Sequence, residues 1–202
     1  MLAEQALDSL KKNVYQDSLA IVAYHWRTSI DTVTPEEVVD TRAELYDIEY
    51  QGRAEIFVDG NFHVEEEIPE NFGKAFSEAI DYQKGFPPIY DLAISYRLNQ
   101  DQSLVFVSIF ATDTPPGPVR FFIAVAEDSV MIGIPPTRYD YVVRSLIPDP
   151  SGSPLNIAYA ESLDTAFAFE NRWNADKIHI IGFIQDLSSK HILQAAIGTK
   201  VE

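Results

Sequence analysis

Pro87 and Pro88 divide this sequence into two kinds of pattern, and that division constrains its folding more than any other feature. Two consecutive prolines remove two backbone donors and end any helix that reaches them. Before them, apolar residues recur at helical spacing, interrupted by short apolar runs. After them come short runs rich in Val, Ile, Phe and Tyr, separated by turn residues. The chain therefore reads as α+β, with one domain over residues 1–86 and a second over 87–202.

In the first part, Leu2, Ala6, Leu7, Leu10 and Val14 fall at three- and four-residue steps, which predicts a helix over 3–16. Residues 19–24 are almost continuously apolar with no polar alternation, the pattern of a strand buried on both faces. Thr34, Pro35 and Glu37 then form a capping box, so a helix follows to about Tyr46. Segments 55–59 and 61–65 read as a hairpin joined at Asp59-Gly60. Phe72, Ala75, Phe76, Ala79 and Ile80 predict a last amphipathic helix over 69–83.

In the second part, strands are expected over 89–98, 104–111, 119–126, 139–147, 155–160, 165–169, 177–186 and 192–197. Turn residues separate them: Asn99-Gln-Asp-Gln, Pro115-Pro-Gly-Pro, Pro135-Pro136 and Pro148-Asp-Pro-Ser-Gly-Ser-Pro154. That spacing predicts an antiparallel β-sandwich.

Charge and composition exclude several functions. The chain has 31 acidic and 15 basic residues, a formal net charge of -16, which repels phosphate backbones and anionic headgroups. Nucleic acid is not an expected partner. No run approaches the roughly 18 apolar residues a spanning helix needs, so membrane insertion is not expected of this chain. Neither a basic n-region nor an apolar h-region opens the sequence. With no cysteine, the chain itself can form no disulfide, thiolate nucleophile, Cys-ligated zinc site or iron–sulfur cluster.

The first part runs helix, strand, helix, strand, strand, helix. Within it, Tyr24-His25-Trp26, Arg42, Tyr46, Ile48, Gly52 and Ile56-Phe-Val-Asp-Gly60 follow one another in a set order. The second part carries Val125-Ala-Glu-Asp128, Val142-Val-Arg144 with Leu146 and Pro148, Trp173-Asn174, Gly182-Phe-Ile-Gln-Asp186 and Ile192-Leu-Gln-Ala-Ala196. As an ordered set these residues resemble a family of Gram-negative surface proteins named for a 28-kDa outer membrane protein. The resemblance implies a thioredoxin-like first domain that lacks its first, central strand, followed by a β-sandwich. It also implies the cell envelope, periplasm or outer-membrane surface, as location and a non-catalytic binding or structural role.

Two departures bear on activity. Redox-active relatives carry Cys-x-x-Cys at the start of the first helix, where the helix dipole lowers a thiolate pKa. Here that position would fall upstream of Met1, so the alternative reading is a fragment of a thiol-disulfide oxidoreductase with a native start further upstream. Ala54 stands where relatives have a cis-proline, and a cis bond before alanine costs about 2.5–4 kcal/mol. Without the central strand, segments 19–24 and 55–65 would leave backbone groups unpaired. Direct pairing of the two, a strand lent by another copy, or association through the open sheet edge would close that gap. The expected partner is thus a protein or a homo-oligomer.

No catalytic residue, metal ligand or cofactor is expected. His25 and Trp26 end the apolar run at 19–24, where sites of α/β sheets lie, although packing over the sheet edge is the plainer and favoured account of them. Arg144 and Trp173, with Glu127 and Asp128, complete a candidate recognition patch, against which core-edge ion pairing is the plainer reading. His63, His179 and His191 lack metal-ligand spacing. Glu65, Glu66, Glu67 and Glu70 suit the start of a helix, and Asp149, Ser151 and Ser153 suit a long connection, better than either group suits a cation. Tyr139, Tyr141, Tyr159 and Trp173 raise carbohydrate binding as a third, weaker function.

Overall fold

A computed structural model describes residues 2–26, 28–49, 52–99 and 102–201. Met1, and Gln100 and Asp101 of the expected turn, lie outside them. The chain is α+β, with three α-helices and thirteen strands among the described residues. The helices are α1 (Leu2–Leu10), α2 (Glu36–Tyr46) and α3 (Phe72–Gln83). A short hairpin joins β1 (Ile56–Val58) to β2 (Phe62–Val64). The remaining strands are β3 (Tyr90–Arg97), β4 (Ser103–Ala111), β5 (Val119–Glu127), β6 (Val130–Ile132), β7 (Thr137–Tyr139), β8 (Val142–Ile147), β9 (Ser153–Pro154), β10 (Ser162–Phe169), β11 (Ile178–Asp186), β12 (Ile192–Ile197) and β13 (Thr199–Lys200).

Two sheets form the sandwich, one ordered β10-β4-β3-β13 and the other β12-β11-β5-β8, with β9 also on β5. Side-chain pattern explains which sheet is covered on both faces. In β4 buried and less buried residues alternate, because its outer face meets solvent. β5 and β11 are nearly continuous apolar runs and are buried except at Arg120, Glu127 and His179. Their inward residues, such as Phe121, Ile123, Ile180 and Ile184, join Tyr90, Ile94 and Ile109 in the inter-sheet core. Their outward residues, Phe122, Ala124, Ala126, Ile181 and Phe183, pack instead under Val38 of α2 and under Ala20, Val22 and Tyr24. Residues 2–86 thus supply a third layer over the outer face of this sheet.

That layer differs from the expectation in one decisive respect. Residues 19–24 pack on the sheet but pair with it only at Ala23, which bridges Val142 in parallel through Ala23 N–H to the Tyr141 carbonyl and Val143 N–H to the Ala23 carbonyl, both 2.9 Å. β1 and β2 pair only with each other. The thioredoxin sheet is therefore not formed by the described residues: the apolar run covers the sandwich instead of entering a sheet of its own. The cis peptide bonds among them precede Pro135 and Pro148, not Ala54.

Smaller corrections have local causes. The first helix ends at Leu10 and continues as a wider π turn over Lys11–Tyr15, which brings the Tyr15 hydroxyl to Asp81 Oδ1 at 2.8 Å on α3. Thr34 is not a helix cap. It is fully buried, its hydroxyl accepts His25 N–H at 3.1 Å and donates to the Val143 carbonyl at 2.9 Å, and α2 starts at Glu36. The strand expected over 139–147 breaks at Tyr141, whose φ is 59°. Residues 155–160 are a connection anchored by Leu155, with β10 following from Ser162.

Candidate functional site

The residues that position the site converge on Arg42. On α2 it falls three and four residues after Val39 and Val38, so helical periodicity turns it toward the sheet, and it is 4% exposed. Its Nη2 donates to Gln185 Oε1 at 3.0 Å and to the Tyr46 hydroxyl at 3.3 Å. Four rings, those of Tyr24, Tyr46, Phe122 and Phe183, surround the guanidinium carbon at 5.1–5.6 Å. No carboxylate is paired with it among the described residues; the faces of these rings take that place, a cation–π arrangement strengthened by exclusion of water.

Gln185 extends the cluster. It is fully buried, and its Nε2 donates to the Tyr46 hydroxyl at 2.9 Å and the Lys190 carbonyl at 2.6 Å. The β1–β2 turn is set into this cluster at Gly60. A Cβ there would lie 2.2 Å from the Lys190 carbonyl oxygen, and φ is +74°, so only glycine fits. The Asp59 carbonyl accepts Ile192 N–H at 2.7 Å, and Gln83 Nε2 donates to Asn61 Oδ1 at 2.7 Å. The hairpin is thereby fixed to β12 and α3, while Tyr24, under Arg42, fixes the end of segment 19–24.

Between these two fixed segments lies a cleft of about 930 Å³. Residues 19–22 and 55–59 both line it. Ile181 and Phe183 of β11 and Ala195 of β12 line its sheet side, and Leu7 and Ile80 come from the helices. Among the described residues, residues 20–22 make no backbone–backbone hydrogen bond, and β1 pairs with β2 alone. The cleft is thus lined by two segments whose main chains have no further backbone partner there, and by apolar side chains.

Its rim is aromatic and acidic. Phe86 and His191 line the cleft and continue a row through Tyr82 to Phe62, with ring centroids 6.4, 5.3 and 5.6 Å apart from His191 onward, and Tyr82 and Phe86 are about half exposed. Asp17, Glu55, Asp59 and Asp186 border the cleft, against Lys84. Burial pushes the Asp59 carboxyl above the usual carboxylate range, with His191 partly offsetting it. Burial acts the same way on Asp186, but hydrogen bonds from Ser189 and Ser188 outweigh it and hold that carboxyl low.

The residues singled out from sequence form two other groupings, on either side of β8. His25 Nδ1 lies 2.8 Å from Asp31 Oδ2, both side chains about 15% exposed, and the imidazole meets the Tyr139 ring edge-on at 4.9 Å. Trp26 follows it, partly buried. Arg144 Nε is 3.5 Å from Glu127 Oε2, and its guanidinium lies 5.8 Å from the Trp173 ring centre. Trp173 itself packs on the inter-sheet core. His63 and His179 pair with Glu55 and Asp128 at 2.8 and 2.7 Å. Asp149 Oδ1 accepts the Ser151 backbone N–H at 2.8 Å. No group of three or more His, Asp or Glu suited to a metal ion occurs among the described residues. No helix among them is long and apolar enough to cross a membrane.

Sequence reading did not single out the Arg42 cluster as a site, although Tyr24, Arg42, Tyr46, Gly60 and Gln185 all belong to the ordered set that carries the family resemblance. The signal was an arginine on the apolar stripe of a helix. The cleft has no sequence signal, because it arises from how two segments dock on a third.

No protein-family model and no curated protein matches the chain. Among solved structures it is similar to a domain of the outer membrane lipoprotein Omp28 from Porphyromonas gingivalis, at 11% identity and a TM-score of 0.41, over 57% of this chain and 92% of that one. It is also similar to the Pseudomonas fluorescens alkylpurine DNA glycosylase AlkC, solved bound to DNA containing an abasic site analogue, at 6% identity and a TM-score of 0.34, over 66% of this chain and 38% of that one.

Proposed function

We propose that this chain is a non-catalytic binding module of the bacterial cell envelope, and that its ligand occupies the cleft between residues 19–22 and β1. One observation carries the reading. Two main-chain edges are held in place, by Ala23 on β8 and by Gly60 and Asp59 on the β11–β12 turn, without bonding to each other. Such a preformed, largely apolar concavity with a few polar groups at its margin is the usual form of a binding site. The titratable pairs support a structural role for themselves: His25–Asp31 closes the connection before α2, and His179–Asp128 ties β11 to the end of β5. The envelope location and the thioredoxin-like ancestry of residues 2–86 rest on the ordered motif set.

The test is titration with Nile red, a neutral apolar dye that the acidic rim does not repel. Wild-type protein should bind it at one site, and Ala195→Trp, at an exposed position on the cleft's sheet side, should weaken binding by at least about tenfold. Equal binding by both proteins contradicts the reading.

A further inference from the structure

We infer that the ligand is an extended polypeptide segment from another protein, paired as a strand with residues 20–22 on one side and β1 on the other. This rests on the cleft being the binding site. A lipid tail or compact small molecule would cover both edges without hydrogen-bonding them, and each backbone group so desolvated costs about 1–3 kcal/mol. An added strand satisfies both edges, since alternate residues of a strand direct their N–H and C=O groups to opposite sides. Size agrees with this occupant. At roughly 3.3 Å rise, 4.8 Å strand spacing and 10 Å layer spacing, an extended residue fills about 160 Å³, so about six residues fill the cleft.

Side-chain preference follows from the surroundings. Ile181 and Phe183 face the segment from the sheet and Leu7 and Ile80 from the helices, so apolar residues are favoured at both alternations. The excess of acidic over basic groups at the rim favours Lys or Arg at the ends of the segment. A second copy of this chain is a poor donor. Its apolar strands β5 and β11 are the two inner, mostly buried strands of their sheet, and lending one would dismantle the sandwich.

The probe is a synthetic peptide of six alternating valines and isoleucines flanked by lysines, with two derivatives N-methylated at either the odd or the even positions. N-methylation keeps the chain extended but removes the donors facing one wall. The parent should bind wild-type protein and lose affinity with Ala195→Trp, and each derivative should bind at least about tenfold more weakly than the parent. Binding should also slow amide exchange in residues 20–22 and in β1. Three results overturn the inference while leaving the cleft as a binding site: both derivatives bind like the parent, only one is weakened, or Nile red or palmitate binds in an Ala195-dependent way and the peptide does not. If neither dye nor peptide responds to Ala195→Trp, the binding reading fails as well.

Discussion

Arg42 Nη2 and Gln185 Oε1 lie 3.0 Å apart, joining α2 to the outer face of β11, residues 143 positions apart in sequence. Through Gln185 the bond reaches the Lys190 carbonyl and the Gly60 turn, and through the ring of Tyr24 it reaches segment 19–24. One side chain therefore ties both walls of the cleft to the sandwich. Truncation by Arg42→Ala removes packing against four rings and leaves the buried Gln185 oxygen without its charged donor, at a cost of about 3 kcal/mol. Arg42→Met, which keeps volume, should lose less. Urea unfolding measures both, and equal losses would show that the charge, not the packing, dominates.

Gly60 and Gly52 share a left-handed φ, +74° and +75°, but only Gly60 is crowded. Gly52→Ala should cost about 1 kcal/mol, the backbone penalty alone. Gly60→Ala meets the Lys190 carbonyl as well and should cost at least about 2 kcal/mol more, or release the hairpin. Comparable thermal shifts in the two variants would mean that the turn is not set against residue 190.

Thr34→Val tests the clip between segment 19–24 and β8. The isosteric change leaves His25 N–H and the Val143 carbonyl buried without their shared hydroxyl, and should cost about 1–3 kcal/mol, with Thr34→Ser restoring most of it. Amide exchange at Val143 and Ala23 should accelerate in the valine variant. A loss confined to the first turn of α2 would instead fit a capping role.

Acid should loosen α1. Burial opposes charge on Asp8, but hydrogen bonds from Lys12 and Tyr141 outweigh it and hold the carboxyl below its ordinary 3.8; Asp128 is likewise held low, burial being outweighed by His179 and the Tyr141 N–H. A depressed carboxyl stabilises the fold above its unfolded pKa and ceases to do so as pH falls through the folded value, so the window opens near pH 3.8 and extends below it. Glu4, raised mainly by burial although it accepts Asp140 N–H, works in the opposite sense. Asp8→Asn should therefore destabilise clearly at pH 7 and progressively less below pH 3.8. A loss of the same size at pH 7 and in strong acid would remove the Asp8–Tyr141 bond from the account.

How much of this was legible in the sequence depends on whether the deciding contact was local. Asp59-Gly60 marked its hairpin because the turn needs positive φ, and β3, β4, β5, β11 and β12 carried apolar runs bounded by turn residues. The β6–β7 hairpin was missed because its strands are three residues long and Ile134 between them is almost fully exposed. Segment 19–24 looked like a strand buried on both faces because covering a sheet and joining one demand the same apolar run. Thr34 carried a cap signature, yet its hydroxyl is used 109 residues away. Of the site, Arg42 left a trace as a charge on an apolar stripe; the cleft left none.

The claim on which the rest depends is that residues 20–22 and β1 stand beside each other with their facing main-chain groups unbonded. Residue-resolved amide exchange on the free protein tests it within one short segment. The Ala23 amide, bonded to the Tyr141 carbonyl, should exchange slowly, as should that of Ile192, bonded to Asp59, while the Val22 amide exchanges much faster. Protection of Val22 equal to that of Ala23 would mean that the two walls pair directly, and the cleft would not exist in solution.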